Sequence, residues 1–174
     1  TLFESVSRKG GTVIRPLFFE FSADRRAESI DSQFMWGPSV MIAPELTPGA
    51  ENTTVYFPPG VWYHAVSLQR INAAQNGRFV VQKASFDYPN VYYRAGSILP
   101  IQRPKNHQTN TSMTTEESRQ NNFTLVVALS DANSYAYGEL YWDSGDGIDT
   151  FQSGHWNSYY FKAVRIYWKH HQLP

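Results

Sequence analysis

The chain has no cysteine, so disulfides, thiolate catalysis and cysteine zinc sites are excluded. It has no excess of charge of either sign: 15 basic residues stand against 15 acidic ones. No long basic run occurs, which leaves nucleic acid or an anionic membrane without an electrostatic footprint. Long apolar runs are missing too. The longest uninterrupted one is Leu125 to Leu129, far short of a bilayer span. The opening TLFESVSRKGG lacks the apolar core of a signal peptide and an initiator Met, so it reads as cut from something longer.

What the chain does have is aromatic side chains, 16% of its 174 residues, together with short β-branched runs punctuated by Gly, Pro and Asn. That combination suits β-structure and sugar-facing surfaces alike. Leu2, Phe3 and Val6 share a helical face that ends in Arg8, Lys9 and Gly10-Gly11, the marks of a helix C-terminus. TVIRPLFFEF, from Thr12 to Phe21, reads as an extended segment or edge strand because of Pro16. Short strands then follow around Gly37-Pro38, Pro58-Pro59-Gly60, Asn76-Gly77 and Gly96, the rhythm of an antiparallel sandwich. Residues 105–122 are polar and mark a surface loop or linker, and FTLVVAL beyond them alternates as a strand.

Chemistry is sparse. YWDSGDGIDT sets Asp143, Asp146 and Asp149 three residues apart. The stretch lacks the ligand spacing and closing Glu of an EF-hand loop. Carboxylates on one glycine-rich tip also do not make a glycosidase pair, which needs two groups held apart across a pocket. A turn between two strands accounts for Asp and Gly more simply, with an irregular calcium site as the other reading. His64, His107, His155, His170 and His171 form no H-x-x-x-H pair, and neither G-x-S-x-G nor a P-loop occurs. No catalytic residue, metal ligand or cofactor-binding residue is assigned. Trp62, Tyr63, Tyr92, Tyr93 and Trp142 are open to two readings, as core or as a sugar platform. N-x-[ST] sequons at Asn52, Asn110 and Asn122 point to N-glycosylation and a secretory route.

The order of motifs says more than any one of them. RPLFFEFSAD, DSQFMWGPSVMIAPEL, TVYFPPGVWYH, YYRAGSILPIQRP, ESRQNNFTLVVAL and GELYWDSGDGIDTF, in that order, resemble the C-terminal region of glycoside hydrolase family 31, from about Thr1 to Ala163. That family includes lysosomal α-glucosidase, maltase-glucoamylase and sucrase-isomaltase. The resemblance implies a mainly β fold, antiparallel β-sandwich C-terminal domains preceded by the tail end of a (β/α)8 barrel. It places the end of the barrel at 1–44, a proximal β-domain at 45–103, a linker at 104–115 and the start of a truncated distal β-domain at 116–174.

The resemblance implies a retaining α-glucosidase acting on terminal α-linked glucose of maltose-type oligosaccharides or α-glucans through parts outside this chain. The catalytic aspartates would lie upstream, since no W-x-D-M-N motif is present, so this chain alone is expected to be inactive. Its expected partner is the rest of the polypeptide, in an extracellular, lysosomal or membrane-tethered setting. His64 departs from the family's usual Asp, Ala95 from the first Gly of R-G-G-S, and VRIYWKHHQLP after Ala163 from the pattern altogether. Two other readings remain at this point, a free-standing carbohydrate-binding module using Trp62, Tyr92 or Trp142, and an inactive partner subunit. A missing barrel would leave Phe3, Leu17, Phe19 and Met35 as an exposed apolar patch.

Overall fold

The computed structural model of the chain describes residues 1–85, 87–102, 114–131 and 134–165. Among these residues it has twelve strands and three short α-helices. Six strands form one antiparallel sheet in the order β1 (Ile14–Pro16), β2 (Phe34–Trp36), β3 (Val40–Ile42), β8 (Val91–Arg94), β5 (Val61–His64) and β6 (Arg70–Asn72). A ribbon of β4 (Asn52–Phe57) and β7 (Arg78–Lys83) covers this sheet as a second layer. The core lies between the two, where Val55, Tyr56 and Phe57 of the ribbon meet Met35, Met41, Trp62, Ile71 and Tyr92 of the sheet. Phe57 places its ring edge-on to Tyr92 at 4.7 Å and tilted on Trp62 at 6.5 Å, which locks ribbon to sheet.

Buried Gln33 makes the second tie between the layers. Its side-chain amide donates to the Tyr56 carbonyl at 2.8 Å and accepts the Tyr56 N–H at 2.7 Å, so it pairs with β4 as a strand residue would. The Tyr56 hydroxyl in turn donates to Asp24 at 2.5 Å, and burial pushes the phenol up to about 12, with Asp24 adding to the shift.

The second sheet has the order β10 (Phe123–Ala128), β9 (Ser97–Gln102), β11 (Tyr135–Asp143) and β12 (Trp156–Val164). Two antiparallel pairs meet in it at a single parallel bridge, Tyr137 to Ser97. The Ala95-Gly96 turn carries the chain straight from β8 of the first sheet into β9 of the second, and Tyr63 reaches across to donate to the Leu129 carbonyl at 2.9 Å. A capping box at Thr114 and Glu117 starts the helix α3 (Thr115–Arg119).

The mainly β, antiparallel architecture is as the sequence predicts, but three details differ. The end of a (β/α)8 barrel expected over 1–44 finds no support, because β1, β2 and β3 are antiparallel and continue through β8 into one sheet. Barrel strands would run parallel. Hydrogen bonding therefore crosses position 44, and likewise β9 joins the later strands across the 104–115 segment, most of which lies outside the described residues. After Pro16 the chain does not stay extended: Leu17–Glu20 is a single helical turn, α2. The edge position of β1 and the helix α1 (Leu2–Lys9), closed by Gly10 at φ 77°, are as expected.

Burial corrects the apolar patch. Leu17 and Met35 are fully buried in this chain's own core, whereas Phe3 and Phe19 are 72% and 57% exposed. Alternation along a strand separates two faces without saying which one is covered, and here the ribbon covers the Met35 side. Ile14 and Trp36, register partners on the opposite side, stay exposed.

Candidate functional site

The aspartate stretch is the connection between β11 and β12, and it is a turn. Asp143 ends β11; its two carboxylate oxygens accept the Gly145 N–H at 2.9 Å and the Thr150 hydroxyl at 3.1 Å. Ser144 accepts the Gly147 N–H at 3.3 Å. Asp146 and Asp149 are exposed and take no part in this arrangement. Of the three carboxylates, that of Asp143 thus serves local turn geometry, as expected for an Asx motif. No group of three or more His, Asp or Glu converges on a cation position among the described residues.

The aromatic platform reading fails at two of its three residues. Trp62 and Tyr92 are 0% exposed; the Trp62 indole N–H donates to the Pro58 carbonyl at 3.0 Å, and Tyr92 sits in the same core. Trp142 is half-buried, with the Arg119 guanidinium 3.9 Å over one side and Phe123 edge-on at 5.0 Å. Trp62 and Tyr92 are thus closed to a ligand, and Trp142 has one face taken by Arg119. The sequon residues Asn52 and Asn122 are both exposed, on the first position of β4 and just before β10, while Asn110, His107, His170 and His171 lie outside the described residues.

The charged groups gather where the first segment joins the sheet. Glu20, at the end of α2, accepts from the Arg15 guanidinium and faces the Arg94 guanidinium at 3.6 Å. Arg94 also lies 4.5 Å over the Phe21 ring. Burial holds the Arg94 guanidinium below its ordinary value, and the Glu20 charge works against that shift. This trio explains the helical turn after Pro16, since only a bend there brings Glu20 back to both arginines. It borders a cleft of about 640 Å³ lined also by Asp24, Arg25, Arg26 and Asn76. Arg26 closes part of the cleft by donating to the Asn76 carbonyl at 2.5 Å. Glu20 and its two arginines pair with one another, so this corner of the cleft is a structural joint.

His64 shows how one departure from the expected motif is accommodated. Its Nδ1 accepts the N–H groups of Val66 (3.3 Å) and Ser67 (3.0 Å), the role an Asp carboxylate would play in the same turn. Burial lowers its pKa from the ordinary 6.5. Its contribution is therefore complete above pH 6.5 and is lost as pH falls from there towards the folded value, because protonated Nδ1 cannot accept. The stability of the chain is expected to drop over that window, and His64→Asp is expected to flatten the drop. Denaturant titrations of both chains at several pH values check this; parallel curves would contradict it.

The pattern that defines the Glycosyl hydrolase family 31 C-terminal domain matches residues 10–99. The chain belongs to glycosyl hydrolase family 31. The match starts before β1, so the strands on both sides of position 44 fall within one family 31 C-terminal domain. Lysosomal alpha-glucosidase of Rattus norvegicus is 37% identical over 179 residues, which take in 94% of this chain and 18% of the relative. Probable maltase-glucoamylase 2 of Homo sapiens is 38% identical over 156 residues, 90% of this chain and 6% of the relative. The fold is shared with a crystallised glucosidase II alpha subunit at a TM-score of 0.82 and 20% identity, over 94% of this chain and 17% of that one. The family 31 chain described here thus spans less than a fifth of the length of these relatives.

Proposed function

We propose that the chain is the C-terminal portion of a retaining α-glucosidase that releases terminal α-linked glucose, and that it supports the catalytic part without reacting itself. The observation that carries this is the 37% identity to a lysosomal alpha-glucosidase over 94% of the chain, combined with a fold whose carboxylates are all engaged in turns or ion pairs or left on the surface. The supporting surface is the first edge of the six-stranded sheet, where the register partners Ile14 and Trp36 and the edge-to-face pair Phe18 and Phe19 are exposed. Apolar groups clustered this way are the mark of a buried interface, and the rest of the polypeptide is the occupant the relatives' lengths point to. The first sheet with its ribbon would serve as the proximal β-domain of that enzyme and the second sheet as part of the distal one, so the bounds expected at 45–103 and 116 onward would shift to follow the strand pairing.

Asn52, Asn110 and Asn122 would carry N-glycans acquired in the secretory pathway, the setting of the lysosomal and intestinal relatives. The free-standing binding module based on Trp62 and Tyr92 loses its support with their burial.

The test is activity. The native polypeptide captured with an antibody to KNHQTNTSMTTEESRQ is expected to hydrolyse p-nitrophenyl α-glucoside, and the 174-residue chain alone is expected to leave it intact. Turnover by the isolated chain, or captured material active only on β-glucosides, overturns the reading.

A further inference from the structure

Glycine follows asparagine at one place in the chain, Asn76-Gly77, in the turn between β6 and β7. Gly77 is there for the fold. Its φ of 63° lies in the left-handed region, and a Cβ on it would stand 2.3 Å from the Tyr56 hydroxyl and 2.9 Å from the Phe57 carbonyl oxygen. Asn76 answers to no such demand: it is exposed and lines the 640 Å³ cleft that Glu20 and Arg94 border. An asparagine before a glycine carries a reaction of its own, because the bare glycine lets its main-chain nitrogen reach the carboxamide carbon.

That reaction needs an anionic nitrogen. The Gly77 N–H must lose its proton, and the charge left behind spreads onto the oxygen of the same peptide unit, the Asn76 carbonyl. The Arg26 guanidinium donates to that oxygen at 2.5 Å. Arg26 itself is placed by the short 3-10 helix Arg25–Ser29, where the Asp24 carboxylate accepts the Arg26 N–H at 3.2 Å. A hydrogen bond from a cation is stronger to an anion than to a neutral amide, so Arg26 favours the deprotonated peptide. The cleft adds to this, since Arg25, Arg26 and Arg94 line it against the carboxylates of Glu20 and Asp24, an excess of positive charge.

We infer that Asn76 is a site of spontaneous deamidation and that Arg26 promotes the reaction. The Gly77 nitrogen attacks Asn76 Cγ; the new C–N bond forms, the Cγ–Nδ2 bond breaks, and ammonia leaves with the proton. Water then opens the resulting succinimide. Opening at Cγ leaves an aspartate in an ordinary main chain. Opening at the main-chain carbonyl carbon routes the chain through Cβ and gives isoaspartate. Either product sets a carboxylate beside the arginines of the cleft. Isoaspartate also lengthens the main chain next to Gly77, which has no room to spare over the Tyr56 hydroxyl and its bond to Asp24. This chemistry is independent of the α-glucosidase reading.

Incubation of the 174-residue chain at mildly alkaline pH, followed by peptide mapping with mass spectrometry, tests it. Asn76 is expected to convert ahead of every other asparagine. Asn157, which precedes Ser158 but is held in the β11–β12 ladder opposite Trp142, is expected to stay intact. Arg26 is exposed, so Arg26→Gln leaves the core untouched while removing the charge. It is expected to slow the conversion about tenfold, the worth of one charge-assisted bond. Arg26→Lys, with the charge kept, is expected to recover most of the rate. In urea, where the contact is gone, all three chains are expected to convert alike. Conversion of Asn76 no faster than that of Asn157 overturns the site. Equal native rates in the parent and Arg26→Gln overturn the role of Arg26, as does a difference between them that persists in urea.

Discussion

Replacing Trp62 with alanine is expected to destabilise the chain by about 4 kcal/mol. The indole is fully buried on β5, packed on Phe21 at 5.9 Å and Phe57 at 6.5 Å, so its loss opens a cavity between sheet and ribbon that neither layer can close alone. The Pro58 carbonyl, which accepts the indole N–H at 3.0 Å, would lose that partner in a buried setting. Trp62→Phe should recover most of the packing and fall about 1–2 kcal/mol short of the parent, separating the hydrogen bond from the volume. Urea denaturation midpoints of the three chains give the comparison. A Trp serving as a surface platform would behave otherwise: its removal would change stability by no more than about 0.5 kcal/mol.

The second large effect is expected at Gly138, for a reason that involves no ring. A Cβ placed on Gly138 would lie 2.0 Å from the Ile98 carbonyl oxygen and 2.8 Å from the Ile98 Cβ. The obstacle is backbone, so no rotamer change relieves it. At this point β11 is joined to β9 by the Tyr137–Ser97 bridge and the Tyr137 N–H to Gly96 carbonyl bond of 2.9 Å. Gly138→Ala must therefore part the two antiparallel pairs of the second sheet, at a cost of about 3 kcal/mol. Gly154→Ala is the control. Nothing lies within 4 Å of its Cβ position, but its φ of 73° is left-handed, so about 1 kcal/mol of backbone strain is all it should cost. Equal losses at the two glycines would contradict this account of the second sheet.

Several features were legible because they are local. The alternation of Phe123, Leu125 and Val127 marks β10, the charge and glycine pattern after Val6 marks the end of α1, and Asp and Gly between two aromatic strands mark the 144–155 turn. Position along the chain, by contrast, does not state which elements become neighbours. The pairing of β3 with β8, which joins residues on both sides of position 44, depends on register between segments about fifty residues apart. The same holds for Leu17 and Met35: their apolar character was plain, yet whether the ribbon or another part of the enzyme covered them could only follow from packing.

Tyr137 and Tyr160 illustrate the limit most clearly. Each looks unremarkable in its own strand, and the stacked pair exists only because the long turn sets Glu139 opposite Tyr160. The helical turn of Leu17–Glu20 was hidden for a similar reason, since the Glu20 it turns back faces Arg94, a residue of a distant strand.

The central claim is that these residues do their work as part of a longer family 31 enzyme, and the mass of the native polypeptide tests it most directly. Blotting source material with an antibody to KNHQTNTSMTTEESRQ is expected to show a band several times heavier than the 19.9 kDa of this chain. A band of 19.9 kDa alone would contradict it.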